Sequence, residues 1–261
     1  MSRRAEVLAE MGISPVWRLK STPAPPEIAA AGWIPLKAAV SGCVKCGLHK
    51  TRTQTVFGVG DENADWMLIG EAPGAEEDRL GEPFVGQAGK LLDNMLAAIG
   101  LSRRANVYIA NVLKCRPPGN RDPQPDEIEA CERHLFRQIE LIEPKLIATL
   151  GNFATKLLSG KPHGITRVHG HPQETKLGGR PVTLYPIYHP AAALYTPRML
   201  ETLREDFARL PEMLADGPPE QPSDAPEIGP DEIAEMRASA EAEHVPGAAE
   251  EARAPDQMGL F

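Results

Sequence analysis

Between residues 33 and 214 the chain alternates short apolar runs with segments whose apolar residues recur every three or four positions. A strand covered on both faces is apolar throughout. Four runs fit that pattern: Trp66 to Gly70, Val107 to Leu113, Leu146 to Gly151 and Val182 to Tyr188. Helical spacing fills the intervals. Residues Ala88 to Ile99 put Leu91, Leu92, Met95 and Ile99 on one face and stop at Gly100. Residues Asp126 to Ile142 carry Ile128, Leu135, Ile139 and Ile142 and stop before Pro144. Asn152 caps a short helix to Leu158 that ends at Gly160, and Pro197 opens a last helix through Leu210. Strand and helix in alternation predict a three-layer α/β/α sandwich around a central four-stranded, mainly parallel sheet. Sites in such sheets gather beyond the carboxyl ends of the strands. The loops after Ile69, Asn111, Leu150 and Tyr188 are therefore where chemistry is expected.

The flanks read differently. Residues 1 to about 20 are expected to start with one short helix ending near Gly12, and residues 21–32 to be a proline-rich linker. The organisation this predicts is an N-terminal segment over 1–32, a folded domain over 33–212 and an acidic tail over 213–261. From Ala215 to Phe261 there are seven prolines and few large apolar residues, too few to offset ordering entropy, so disorder is expected there. The same stretch holds twelve acids against Arg237 and Arg253, a net −10. The whole chain carries −8, so the preceding 214 residues stand at +2, and a basic face on the body is compatible with the overall acidity. No apolar run of about 18 residues spans a membrane, and the N-terminus lacks the apolar core of a secretory signal. A cytoplasmic, monomeric protein is the expectation.

Four cysteines change the picture most. Cys43 and Cys46 form C-V-K-C, Cys115 follows after 68 residues, and Cys131 after another 15. Four inert thiols or disulfides are the plainer readings. Four thiolates also close a tetrahedral zinc site or hold an iron–sulfur cluster, and spacing alone leaves both open.

The strand-end loops carry the remaining signals. Gly70-Glu-Ala-Pro-Gly74 follows the first strand, and Pro83-Phe-Val-Gly86 follows soon after, with Phe84 as an aromatic on which a base can stack. Asn111 ends the second strand ahead of V-L-K-C-R-P-P-G-N-R, and its amide offers one donor and one acceptor side by side. Ile187-Tyr-His-Pro-Ala-Ala-Ala-Leu194 follows the last strand. His163, His169 and His171 lie in a polar loop and are expected to be solvated.

In combination, the cysteines and these loops resemble the iron–sulfur, or family 4, uracil-DNA glycosylases over about residues 33 to 210. Family 1 enzymes have G-Q-D-P-Y at the first loop, so Ala72 stands where their water-assisting aspartate would be, and Gly74 where a tyrosine excludes thymine. The resemblance implies a [4Fe–4S] cluster on Cys43, Cys46, Cys115 and Cys131, and excision of uracil from DNA by hydrolysis of the N-glycosidic bond. It assigns Phe84 to stacking on the flipped base and Asn111 to its readout, with Glu71 and Ala72 in the pocket wall. His189 would stabilise charge on the departing base, and Glu71 and Asn120 are further catalytic candidates. Arg116 and Arg167 are candidate phosphate contacts. Leu194 reads either as a wedge into the duplex or as the first core residue of a helix. A related covalent branch carries a K-R-R-I-H-like insertion that this chain lacks, so turnover is expected. The terminal Gln257-Met-Gly-Leu260-Phe261 resembles the peptide by which bacterial repair proteins bind the sliding clamp. The competing readings are a non-catalytic iron–sulfur module that recognises uracil or damaged DNA and a zinc-stabilised nucleotide hydrolase.

Overall fold

The computed structural model describes residues 26–177 and 180–213. The expected N-terminal helix, the acidic tail and the terminal residues Gln257, Leu260 and Phe261 lie outside the described residues.

Six strands form one sheet: β1 (Val59–Gly60), β2 (Trp66–Gly70), β3 (Val107–Asn111), β4 (Leu146–Leu150), β5 (Gln173–Leu177) and β6 (Arg180–Ile187). Their order is β1-β3-β2-β4-β6-β5. The four central strands are the four expected from apolar runs, and they are mutually parallel. The sheet is wider than expected because β1 and β5 add antiparallel edges to β3 and β6. Both are edge strands with little to bury, so neither carries a continuous apolar run.

Alternate residues of each central strand serve opposite faces. On one face Leu68, Ile109, Ala148 and Tyr185 meet α4 (Gln87–Ala98) through Leu91, Leu92 and Leu96. That numbering counts α1 (Pro26–Ala29), α2 (Trp33–Ser41) and the short α3 (Ala75–Leu80) before it. On the other face Met67, Ile69, Tyr108 and Ile147 meet α5 (Pro125–Ile142) and α6 (Asn152–Ser159). After α7 (Ile165–Val168), the helices α8 (Ala191–Tyr195) and α9 (Met199–Ala208) return to the first face through Leu194, Leu203 and Phe207. The three-layer sandwich is thus the observed class.

Two local expectations change. The stretch read as a linker is helical over Pro26–Ala29, and Ile28 and Ala31 bury against Leu36, Val40 and Phe57. The prolines draw attention away from that short apolar pairing. Asn152 is the first residue of α6 rather than its cap, and its Oδ1 accepts the Ile165 N–H at 3.0 Å. Among the described residues no helix is long and apolar enough to cross a membrane.

Leu92 on α4 is completely buried against the sheet. Leu92→Ala is expected to cost about 2–5 kcal/mol of unfolding free energy, read from denaturant midpoints at constant slope.

Candidate active site

The carboxyl ends of β2 and β3 stand side by side because Gly70 pairs with Asn111 in the parallel register. The pairing runs on past the strands: Val112 N–H donates to Gly70 O at 2.9 Å and Leu113 N–H to Glu71 O at 3.0 Å. A Cβ on Gly70 would fall 2.5 Å from Asn111 Oδ1 and 2.6 Å from Phe84 Cζ. The missing side chain is therefore the space in which the Asn111 amide and the Phe84 ring meet. Phe84 in turn stacks on His189, with ring centroids 5.5 Å apart and planes 29° from parallel. The end of β3, the segment after α3 and the loop after β6 thus bring together Asn111, Phe84 and His189, the three residues expected from sequence to act on one base.

Asn111 is 2% exposed, and its Oδ1 has no hydrogen-bond partner. A buried amide oxygen without a donor costs about 1–3 kcal/mol, so this acceptor is poised for a ligand N–H. His189 follows β6. The Ala191 N–H donates to its Nδ1 at 3.2 Å, which assigns the ring proton to Nε2. Burial pushes its pKa down to about 4, against a smaller opposing pull from the Glu77 carboxylate. The ring is neutral at physiological pH and still a donor through Nε2.

Phe84 has φ +53°, in the left-handed region that bulky residues avoid. Two groups that sequence reading missed hold it there. Arg103 donates through Nη1 to Pro83 O at 3.0 Å and through Nη2 to Phe84 O at 2.5 Å, and its Nε bonds Asp93 Oδ1 at 2.6 Å. Glu77 Oε1 accepts the Val85 and Gly86 N–H groups at 2.9 and 3.0 Å. Gly89 completes the seat, since a Cβ there would overlap the Phe84 carbonyl. No local sequence signal marks Arg103, because its partners lie 10 to 20 residues away.

The remaining candidates are placed as follows. Glu71 and Ala72 are half-buried in the loop after β2, with Ala72 against the second core cluster. Asn120 is exposed at φ +53°, and its Oδ1 accepts Arg116 Nε at 2.7 Å. Leu194 is 2% exposed and packs in the first core cluster, which is the core alternative considered for it. Arg167 lines an open cavity of about 470 Å³ with His169, His171, Asp206 and Arg209. His169 is not simply solvated: it pairs with Asp206 at 3.0 Å and packs on Tyr188, beside His189, at 4.5 Å. The buried carboxylate and the ring are tertiary partners that the polar loop does not announce.

The four cysteines are free thiols. They lie within electrostatic reach of one another: Cys115 feels Cys43 and Cys46, and Cys131 feels Cys115 and Cys46. Burial raises the Cys46 and Cys115 thiols and pushes Cys131 up to about 12. Arg52 donates to Cys115 Sγ at 3.1 Å and Cys43 O at 2.8 Å, and Lys114 N–H to Cys131 Sγ at 3.4 Å. One turn after Cys131, His134 is 2% exposed with both ring nitrogens unpartnered, close enough to feel the charges of Lys45 and Lys114. Among the described residues no three His, Cys, Asp or Glu side chains are arranged to hold a single metal ion. A four-iron cluster is wider than an ion. Four thiols near one another, donors aimed at sulfur and an orphaned histidine behind them fit such a group.

A parallel sheet with its polar side chains gathered at the strand ends defines a class, and comparison identifies it. The profile of the uracil DNA glycosylase superfamily matches residues 57–213, and the chain belongs to that superfamily. Within it the chain belongs with the type-4 members. It is 51% identical to the type-4 uracil-DNA glycosylase of Archaeoglobus fulgidus, over 67% of this chain and 89% of the relative. Identity to the type-4 enzyme of Sulfurisphaera tokodaii is 47%, over 68% and 83%. For that of Thermotoga maritima it is 46%, over 59% and 79%.

The neutral, half-buried His189 leads to a pH prediction. The unfolded chain takes up the histidine proton near 6.5 and the folded chain near 4. This group therefore removes stability as pH falls from about 6.5 to about 4 and is silent above that window. Histidine NMR should show the His189 ring titrating near 4, and a midpoint near 6.5 would contradict the neutral assignment.

Proposed function

We propose that the protein is a uracil-DNA glycosylase that hydrolyses the N-glycosidic bond of deoxyuridine in DNA, leaving an abasic site and initiating base excision repair. The observation that carries this reading is the unpartnered Asn111 Oδ1, buried beside the Phe84–His189 stack. Uracil offers N3–H to that oxygen and O4 to the amide nitrogen. Cytosine would set its own N3 lone pair against the Asn111 oxygen, a mismatch that costs a buried hydrogen bond.

The flipped base stacks on Phe84, whose ring is fixed by Arg103 and Glu77 through the loop backbone. As the C1′–N1 bond breaks, negative charge grows on uracil O2, and the Nε2–H of His189 donates to it. A neutral donor in a dry pocket stabilises that charge without first giving up a proton. Water adds at C1′. Ala72 carries no carboxylate, so departure of the base bears much of the catalysis, with Glu71 and Asn120 assigned to orienting the loop and the water. Arg116 and Arg167 are assigned to phosphate.

Cys43, Cys46, Cys115 and Cys131 would hold a [4Fe–4S] cluster, whose contribution is to tie the segment after β3 to α5 and the N-terminal turn. The observations behind this are the mutual proximity of the thiols and the donors of Arg52 and Lys114. We assign the same protein to the cytoplasm as a monomer, with Gln257, Leu260 and Phe261 as a peptide for the sliding clamp.

Purified protein is expected to be brown and to release free uracil from a uracil-containing oligonucleotide without a covalent adduct. Asn111→Ala and His189→Ala should each slow release by roughly 10²- to 10³-fold with the cluster absorption retained. A colourless, zinc-containing protein would overturn the cluster assignment. Wild-type protein that binds DNA but releases no uracil would overturn the activity.

A further inference from the structure

A lysine lies almost wholly buried beneath the pocket. Lys114 is 1% exposed, and its Nζ donates to Asn111 O at 2.8 Å and to Gln138 Oε1 at 2.6 Å. Gln138, on α5 and also fully buried, passes the contact on: its Nε2 donates to Phe57 O at 2.9 Å and to Tyr108 Oη at 3.1 Å. Tyr108 lies three residues before Asn111 on β3, and Lys114 three residues after it. The network therefore closes around Asn111 from both directions along the chain and anchors it to α5.

Burying a lysine is expensive, and a methionine would fill the same volume without that cost. Both Lys114 partners are oxygens of neutral groups, so the contact is not an ion pair formed for its own sake. What the Lys114 amino group supplies is a donor with the reach to hold the Asn111 carbonyl where the strand ladder ends. A held carbonyl fixes ψ of Asn111, and ψ decides which side-chain rotamers are open. The Val112 N–H bond to Gly70 O holds one edge of the Asn111–Val112 peptide and Lys114 Nζ holds the other, so the lysine is a second anchor for an amide whose Oδ1 has no protein partner. The backbone N–H of the same lysine donates to Cys131 Sγ at 3.4 Å. One residue thus joins the cysteine site to the base pocket.

We propose that Lys114 is a positioning residue for uracil recognition, acting through Asn111, and that the Lys114–Gln138 pair transmits the order of the cysteine site to the pocket. The proposal rests on the uracil-excising reading given above.

The test is a double-mutant cycle read by single-turnover uracil release on the intact, cluster-containing protein. Lys114→Met should slow release by about 10- to 100-fold, the size of the penalty for leaving a buried acceptor unsatisfied. The loss should vanish in the Asn111→Ala background, because a residue that aims the amide has nothing to aim once the amide is gone. Gln138→Leu, which removes the second acceptor and leaves Lys114 in place, should show a smaller loss in the same direction, likewise absent beside Asn111→Ala. It decides the matter alone where Lys114→Met does not fold. Losses that add to that of Asn111→Ala, or no loss in either variant, would overturn the proposal. Wild-type protein inactive on uracil would instead overturn the reading beneath it.

Discussion

The site depends on one close approach. Gly70 and Asn111 pair across the parallel strands β2 and β3, and the side chain missing from Gly70 leaves the volume that the Asn111 amide and the Phe84 ring share. Parallel pairing fixes where the two strands end, so the loops that follow start from neighbouring points and diverge around a common space. The pairing extends through Val112 and Leu113 onto Gly70 and Glu71, so the floor of the pocket is a continuation of the sheet. Groups carried on such a floor are positioned more tightly than groups on free loops.

Around that floor, opposing costs are balanced locally. Phe84 is held in a backbone conformation that its bulk disfavours, and Arg103 and Glu77 supply charge-assisted hydrogen bonds to the carbonyls and amides on either side of it. Asn111 keeps an acceptor unpaired, and His189 keeps a neutral ring. On the proposed reading, a base with the matching donor and a developing charge offsets both costs. The buried Lys114 and Gln138 stabilise the geometry from below. Cys115 and Cys131 pack in the second core cluster, with Leu48, Val112 and Ile128, whereas Phe84 packs in the first, so β3 and the segment after it are what the two sites have in common.

Much of this was legible in the chain. The four central strands announce themselves as apolar runs because both faces are covered, and α5 by its strict apolar period. Phe84, Asn111 and His189 were readable because each stands at a strand end or in a motif of characteristic composition. The edge strand Gln173–Leu177 was not, since only Leu177 is buried and the segment is otherwise polar. Nor were Glu77, Arg103 and Lys114. Their roles come from what a charged side chain meets after folding, and a glutamate, an arginine and a lysine look alike whether they face water or clamp a backbone. Leu194 shows the reverse limit, since sequence could not choose between wedge and core and burial places it in the core.

The volume left at Gly70 is what lets Asn111 and Phe84 come together. Gly70→Ala tests it most directly, by measuring uracil release and thermal unfolding on the same preparation. The nearest neighbours of the added methyl are the far ends of the Asn111 and Phe84 side chains rather than backbone, so the strand pairing survives and both groups are displaced. The account predicts a melting temperature close to that of the wild type and a loss of release of at least about 10²-fold, as a misplacement near 1 Å produces. A folded Gly70→Ala protein that releases uracil at the wild-type rate would contradict it.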